Sequence, residues 1–441
     1  MPLAEGSAKP NEEGRWRRFW RRMRIRLIRR TFHWPALLGL RAVAFVVPLI
    51  AACVGRFRGK VFDIGLGPEP LINNVYHKRA LEAYGYRVET FVNTTCFITE
   101  DFDLCTERDT FRWLPKRLPA SIQRRLRNLC LCCLPFTRYR CLYIYFNGGP
   151  LGVLYPGGIL SRLEPWLLRL ARTKVIVMPY GGDVDEMTRA SNLNYKHALA
   201  TDYPKHHLRR ALTERQIDRW TQDASHVISG CDWVDYMYHW DTLMLAHFSI
   251  DTEEWKPPAS IVRNEKVRIL HAPNHRTIKG SRFLIEAIEE LVEEGLPIEL
   301  IILQGVSNDE IKDIMATVDI VADQLIVGWY AMFAIEGMAM GKPVLCYLRD
   351  DLVELYESAG IVRPGEIPLV NCSPSTVKDV IRDLVSDRDR LQTIGERSRE
   401  YVARHHSLES VGSVFDRINR SIGIQPSAEA SKSVVTSAGE G

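Results

Sequence analysis

The sequence predicts an α/β protein of two Rossmann-like domains. Each is a doubly wound parallel sheet. Three observations predict this. Short apolar strands alternate with amphipathic helices in both halves of the 441-residue chain. Several of those strands run straight into glycine. A Pro-stiffened run near residue 256 separates the halves. The boundaries read as an N-terminal segment 1–60, a first domain 61–256, a second domain 257–424 and a tail 425–441 rich in Ser, Ala and Gly.

The first domain opens with the strand Val61–Gly67, which ends in Gly65-Leu66-Gly67. A helix with Tyr76, Ala80, Ala83 and Tyr84 on one face comes next and stops at Gly85. Further strands are 86–92, 141–146, 174–178 and 226–230. The third strand of the domain leads into Asn147-Gly148-Gly149, the fourth into Gly181-Gly182-Asp183. Glycines at the carboxyl ends of parallel strands let a ligand approach the backbone. Asp183 is read either as orienting a hydroxyl in the cleft or as capping the following segment. With Asp185 it forms an Asp-x-Asp pair, the residue type for a divalent cation beside a diphosphate, but it lies in the wrong half for that work.

The second domain begins with the strand Val267–His271 and the loop Pro273-Asn274-His275-Arg276-Thr277-Ile278-Lys279-Gly280. Its first helix carries Phe283, Leu284, Ala287, Ile288, Leu291 and Val292 at helical spacing. Later strands are 298–303, 319–322 and 344–347, with a capping box, Ser307-x-x-Glu310, opening the helix between the first two. Gly328 to Gly341 is an apolar helical stretch with a single carboxylate, Glu336, ended by Gly341-Lys342-Pro343. Arg276, Lys279 and Glu336 all fall in or just after strand-to-helix connections, where doubly wound sheets bind ligands. Cations beside a helix N-terminus suit a pyrophosphate. A carboxylate suits two adjacent hydroxyls. Residues 408–422 form an amphipathic helix.

From Val267 to His406 these motifs resemble the C-terminal half of GT-B glycosyltransferases, specifically the family 4-like group of bacterial polysaccharide type. That group has a Gly-Arg-x4-Lys-Gly-type loop after the first strand and a Glu-x7-Glu motif before Gly-Lys-Pro-Val. The run Ile250-Asp251-Thr252-Glu253-Glu254-Trp255-Lys256-Pro257 also resembles its interdomain connection. The resemblance implies that Lys279 grips the donor diphosphate. Asn274 stands at the family arginine, and Arg276 substitutes for it two residues on. These cations would be the catalytic pair. The resemblance also implies that Glu336 binds the nucleotide ribose. Gly328 stands where the family has its first Glu, which holds the transferred sugar, and Gln324-Leu325 replaces the family's Pro-Ser. His275, Gly280, Trp329 and Tyr330 complete the expected donor-binding set. The first-domain loops at Gly65, Gly67, Asn147, Gly148, Gly182 and Asp183 would face the acceptor.

The activity implied by the resemblance is that of a glycosyltransferase moving a sugar from a nucleotide sugar to a lipid-linked or polysaccharide acceptor. Such an enzyme would retain anomeric configuration and use neither cofactor nor metal. Two rivals stand beside it. One is a catalytically silent nucleotide-sugar-binding subunit of a polysaccharide assembly complex, favoured by Gly328. The other is a GT-B nucleotide-sugar epimerase.

The first sixty residues are expected to associate with membrane. Nine arginines between Arg15 and Arg30 are interleaved with Trp16, Phe19, Trp20 and aliphatics, a pattern for an anionic interface. Residues 36–55 are apolar but include Arg41 and Pro48; interfacial, spanning and core-packed helices all remain open. Basic residues on both sides of it place both ends on the cytoplasmic face. Ile50-Ala51-Ala52-Cys53 looks like a lipoprotein cleavage site, but the long basic lead and the cytoplasmic location of nucleotide sugars argue against export. Such a basic, aromatic cluster is also of a type that binds nucleic acid, but no nucleic-acid fold follows it and the formal net charge of +4 alone implies no such partner, so none is expected. Ten scattered cysteines suit a reducing compartment. Cys130-Leu131-Cys132-Cys133 lacks a second pair for zinc and reads as part of a helix. His77, His271 and His275 are the histidines considered for a site, His275 first.

Overall fold

The computed structural model describes residues 43–95, 99–109, 120–258 and 265–427. The arginine-rich stretch 15–30 and residues 428–441 lie outside them. The chain divides into two compact units, 1–50 and 51–441. In the first, the described residues 43–50 are helical, with Val43, Phe45, Val46 and Ile50 exposed. Among the described residues no helix is long and apolar enough to cross a membrane.

The second unit holds two parallel sheets. The first has seven strands: β1 (Phe62–Leu66), β2 (Val88–Val92), β3 (Leu104–Cys105), β4 (Tyr139–Tyr145), β5 (Lys174–Met178), β6 (His226–Gly230) and β7 (Thr242–Met244). Their order is β3-β2-β1-β4-β5-β6-β7, so the chain reverses direction across the sheet between β1 and β4. The second has β8 (Val267–His271), β9 (Ile298–Ile302), β10 (Ile320–Ala322), β11 (Val344–Cys346) and β12 (Val370–Asn371) in the order β12-β11-β10-β8-β9, reversing between β8 and β10. All pairings are parallel. Parallel sheets covered by helices on both faces need strands apolar on both faces, which is why β1, β4, β5 and β8 are apolar at most positions; the exceptions in β1 and β4, Asp63 and Arg140, pair with each other at 2.9 Å. Each reversal opens a crevice at the carboxyl ends of the strands.

The first core is built on Ile64, Tyr143, Ile176 and Ile228 and is closed by Val411, Phe415 and Ile418. Those three residues come from the last helix, Leu408–Ser421, which crosses from the second sheet back onto helix Ile72–Glu82. Tyr86 donates to Asp416 (2.7 Å) and Tyr143 to Asn419 (3.1 Å), tying that crossing to the first sheet. The second core packs Val267, Ile269 and Ile320 against Leu284, Ile288 and Leu291 of helix Ser281–Glu293. The described part of the connection between the sheets, up to residue 258, is anchored at Thr252 and Trp255. Trp255 is buried and donates to the Tyr76 hydroxyl (3.0 Å), and the Arg399 guanidinium donates to the carbonyls of Thr252 (2.6 Å), Trp255 (2.6 Å) and Ala339 (2.9 Å). The cysteines 130, 132 and 133 lie on helix Ala120–Arg138, where burial raises all three thiols.

Candidate functional site

The crevice between β8 and β10 positions the second domain's site residues. A cavity of about 140 Å³ opens there. Asn274 lines it from the loop after β8, Gln304 from the loop after β9 and Glu336 from helix Met332–Ala339. Ile72, at the start of the first domain's first helix, closes the opposite wall. Glu336 is buried, and burial, reinforced by the nearby Asp323 carboxylate, pushes its pKa up to about 8. A hydrogen bond with the Asn308 side chain opposes that shift. Glu336 is therefore mostly a neutral acid at pH 7, able to donate one hydrogen bond and to accept others.

The loop after β8 is organised by a buried ion pair. Lys279 Nζ lies 2.7 Å from Oδ1 of Asp323, whose side chain is fully buried at the carboxyl end of β10. The other oxygen, Oδ2, accepts from the backbone N–H of Ala331, just before the helix that carries Glu336 (3.4 Å). His271 closes the arrangement: Nδ1 donates to the Ala322 carbonyl (2.8 Å) and Nε2 accepts from Ser281 (2.7 Å). Burial, with Lys279 and Arg276 close by, keeps this ring neutral. Gly280 adopts the left-handed region (φ +76°), where a Cβ would press on Leu325 and Ile326 at 3.1 Å. Lys279→Ala leaves the Asp323 carboxylate buried and unpaired. The expected loss is about 3–5 kcal/mol of stability, read as a fall in melting temperature that Asp323→Asn in the same chain largely restores.

Arg276 is exposed and lines a different cavity, of about 790 Å³, together with Asn194, His197 and Thr201 from helix Leu193–Asp202 of the first domain. His275 meets the same helix's end: its ring nitrogens lie 3.0 and 3.2 Å from the Tyr203 hydroxyl. So Lys279 and Glu336 are joined through Asp323, while Arg276 and His275 face the first domain.

Gly328 adopts φ +99°, and a Cβ there would lie 2.6 Å from Cδ of Arg349. The space beside it is filled by that arginine. Its guanidinium pairs with Asp235 of the first domain (2.6 and 3.2 Å) and with Asp351 (2.5 and 3.0 Å). Asn192 adds to this seam by donating to the carbonyls of Ile326 (2.7 Å) and Val327 (3.0 Å). The side chains of Trp329 and Tyr330 turn into the core. Trp329 Nε1 donates to the Leu245 carbonyl (2.8 Å), and the Tyr330 hydroxyl meets Tyr401 and His406 at 2.9 Å. Only their backbone is left for a ligand.

On the first-domain side the glycines divide. Gly65 packs against the Tyr139 ring, and Gly67 against the Phe91 backbone. Gly148 belongs to a loop that wraps a carboxylate of the chain itself: Glu164 accepts from the backbone N–H groups of Leu151 (2.8 Å) and Gly152 (2.9 Å). Burial pushes Glu164 up to about 7. Asp183 is likewise buried and accepts from the N–H groups of Phe146 (2.9 Å), Tyr180 (2.9 Å) and Gly181 (3.1 Å), which ties the ends of β4 and β5 together; burial moves it to about 7. Asp185 turns elsewhere, accepting from Tyr195 (2.8 Å). Gly182 is exposed, and a Cβ there would touch the Tyr180 ring at 3.9 Å. Asn147 faces the crevice between β1 and β4, donating to Glu69 (2.9 Å) and Tyr180 (2.8 Å). Burial raises Glu69, against the opposing pull of Asn147 and Arg209.

Among the residues of this geometry that escaped the sequence are Glu69, Asn308, Asp323 and Arg349. Asp323 had a visible signal, an acid at the end of an apolar strand next to the Gln324-Leu325 departure. Glu69 comes just after Gly67-Pro68 at a strand end, also a readable position. Arg349 had none, because its place beside Gly328 and Asp235 is long-range.

No protein-family model and no curated protein matches the sequence. Solved structures do match the fold. Sucrose-phosphate synthase from Thermosynechococcus elongatus superposes with a TM-score of 0.54 at 13% identity, over 83% of this chain and 99% of that one. HepE of Anabaena, in complex with UDP and glucose, does so with a TM-score of 0.52 at 12% identity, over 82% of this chain and 100% of that one.

Proposed function

From the premise that the chain has the GT-B fold, we propose that it is a glycosyltransferase. It takes a nucleotide sugar in the second domain and transfers the sugar to an acceptor entering from the first. The observation that carries this reading is Glu336, a buried carboxyl lining the cavity at the reversal point of the second sheet, one residue pair away from the Lys279–Asp323 bridge. A neutral acid or carboxylate there can engage both ribose hydroxyls. The exposed Arg276 supplies positive charge for a leaving diphosphate, and Lys279, its charge balanced by Asp323, supplies N–H donors beside it. Asn147, Glu69 and Tyr180 offer a polar crevice for an acceptor hydroxyl, held in line with the donor so that proximity does much of the work. The bound UDP and glucose of HepE, a protein of the same fold, agree with that assignment of ligand class. The acceptor is lipid-linked or polysaccharide, the anomeric configuration is retained, no metal or cofactor takes part, and the protein works at the cytoplasmic face of an anionic membrane.

One observation favours the second reading, a silent nucleotide-sugar-binding subunit: Arg349, already neutralised by two aspartates, fills the space beside Gly328. Calorimetric titration with UDP, GDP and ADP tests the main reading. One of the three binds, and Glu336→Ala weakens it at least 10-fold, equivalent to about 1.4 kcal/mol. Absence of all three would sink both readings; binding without turnover of the matching sugar nucleotide would favour the silent subunit.

A further inference from the structure

Three helices lie side by side on the outside of the first sheet. They are residues 51–57, Ala120–Arg138 and Ile159–Leu170. Gly55 packs on the backbone of Phe136, and Lys60 reaches the Phe136 carbonyl and Thr173, so the first is fastened to the second. Their outward residues form an unusual set. Val54, Phe57, Ile122, Ile159 and Trp166 are exposed large apolar side chains, Phe57 at 86%. On the same helices stand Arg56, Arg124, Arg125, Arg162 and Arg169, with Arg58 just past the first of them, all exposed. The only carboxylate on the three helices, Glu164, is buried in the loop it caps. Among the described residues, the carboxylates paired with its arginines stand at its edges, where Glu107 meets Arg127 (4.0 Å) and Asp223 meets Arg169 (2.9 Å).

We infer that this face docks on an anionic lipid surface, independently of the arginine-rich segment at the start of the chain. Exposed aromatic and aliphatic side chains interleaved with arginines, without acids, match the interface between headgroups and acyl chains. Charge also decides against the nearest alternative occupant. The chain's own segment 15–30 carries nine arginines and no acid, so it is repelled by this face, whereas both are drawn to the same anionic surface. The inference deepens the membrane part of the proposed function and stands apart from its chemistry: vesicle binding reports on one, nucleotide titration on the other.

The test is co-sedimentation of the full chain with vesicles of phosphatidylcholine alone or mixed with phosphatidylglycerol. The protein binds the mixed vesicles, and added salt weakens that binding. Arg124→Glu/Arg125→Glu/Arg162→Glu, with the N-terminal segment intact, lowers partitioning by at least ~10-fold. Trp166→Ser lowers it in a salt-independent way. All four positions are exposed, so circular dichroism and nucleotide affinity stay unchanged. Equal partitioning of the triple variant and the parent overturns the inference and leaves the attraction to residues 15–30. Equal binding to neutral vesicles also overturns it, as does a dimer in solution that the triple variant dissolves, which would give the face to a second copy.

Discussion

Gly328→Glu, the substitution that restores the glutamate of the resembled motif, lowers stability by about 3 kcal/mol or more and brings no gain in turnover. Two independent costs add. The left-handed backbone at φ +99° disfavours any side chain with a Cβ, by about 1–2 kcal/mol. That Cβ would also sit 2.6 Å from Cδ of Arg349, so the arginine must move. Moving it breaks a pair with Asp235 in which both side chains are about nine-tenths buried, and losing one partner of such a pair costs about 3–5 kcal/mol. Positions 328 and 349 are therefore coupled: Arg349 occupies the space that a side chain at 328 would need. The measurement is a thermal melt of Gly328→Glu beside Gly328→Ala and Arg349→Ala. Gly328→Ala isolates the backbone and first-contact cost and is the mildest of the three if Arg349 gives way; Arg349→Ala, which leaves Asp235 unpaired, falls near Gly328→Glu. A glutamate variant as stable as the parent and more active would mean that the pocket keeps room for the missing carboxylate.

The strands were legible because burial on both faces writes itself as an apolar run; β5, β6 and β8 match the run lengths read from the sequence residue for residue. The edge strands β3, β7 and β12 were not, because two or three residues carry no period. The site divides along the same physical line. Glu336 was legible because one carboxyl on an otherwise apolar helix stands out locally. Arg349 and Asp235 meet across 114 residues of sequence, and neither position is unusual among its neighbours. The glycine-ended loops misled in a specific way. Gly148 does accompany a close approach, but of the chain's own Glu164, since a buried carboxylate demands backbone N–H groups as a ligand phosphate would. A glycine at a strand end thus marks close approach without saying to what.

The same burial that singles out Glu336 makes nucleotide binding depend on pH. The folded value of about 8 lies above the 4.5 of a free glutamate. Between these values the folded chain holds a proton that the unfolded chain has lost. This contribution to stability is therefore largest below pH 4.5 and is lost as pH rises through 8, so the free protein loosens toward alkaline pH. A bound ribose reverses the balance. Two hydroxyls that donate to Glu336 favour its carboxylate and release its proton. Affinity for the nucleoside diphosphate that binds then rises with pH from 7 toward 9, by up to ~10-fold per unit below the group's own pKa, and levels off above it. In Glu336→Gln the slope vanishes and the affinity at pH 9 is the lower of the two. Asp323→Asn removes the neighbouring carboxylate that helps to raise Glu336, so its plateau begins at lower pH. Calorimetry in two buffers of different ionisation enthalpy measures the released proton directly; a parent protein that binds nucleotide with no proton release between pH 7 and 8 would place the ribose away from Glu336.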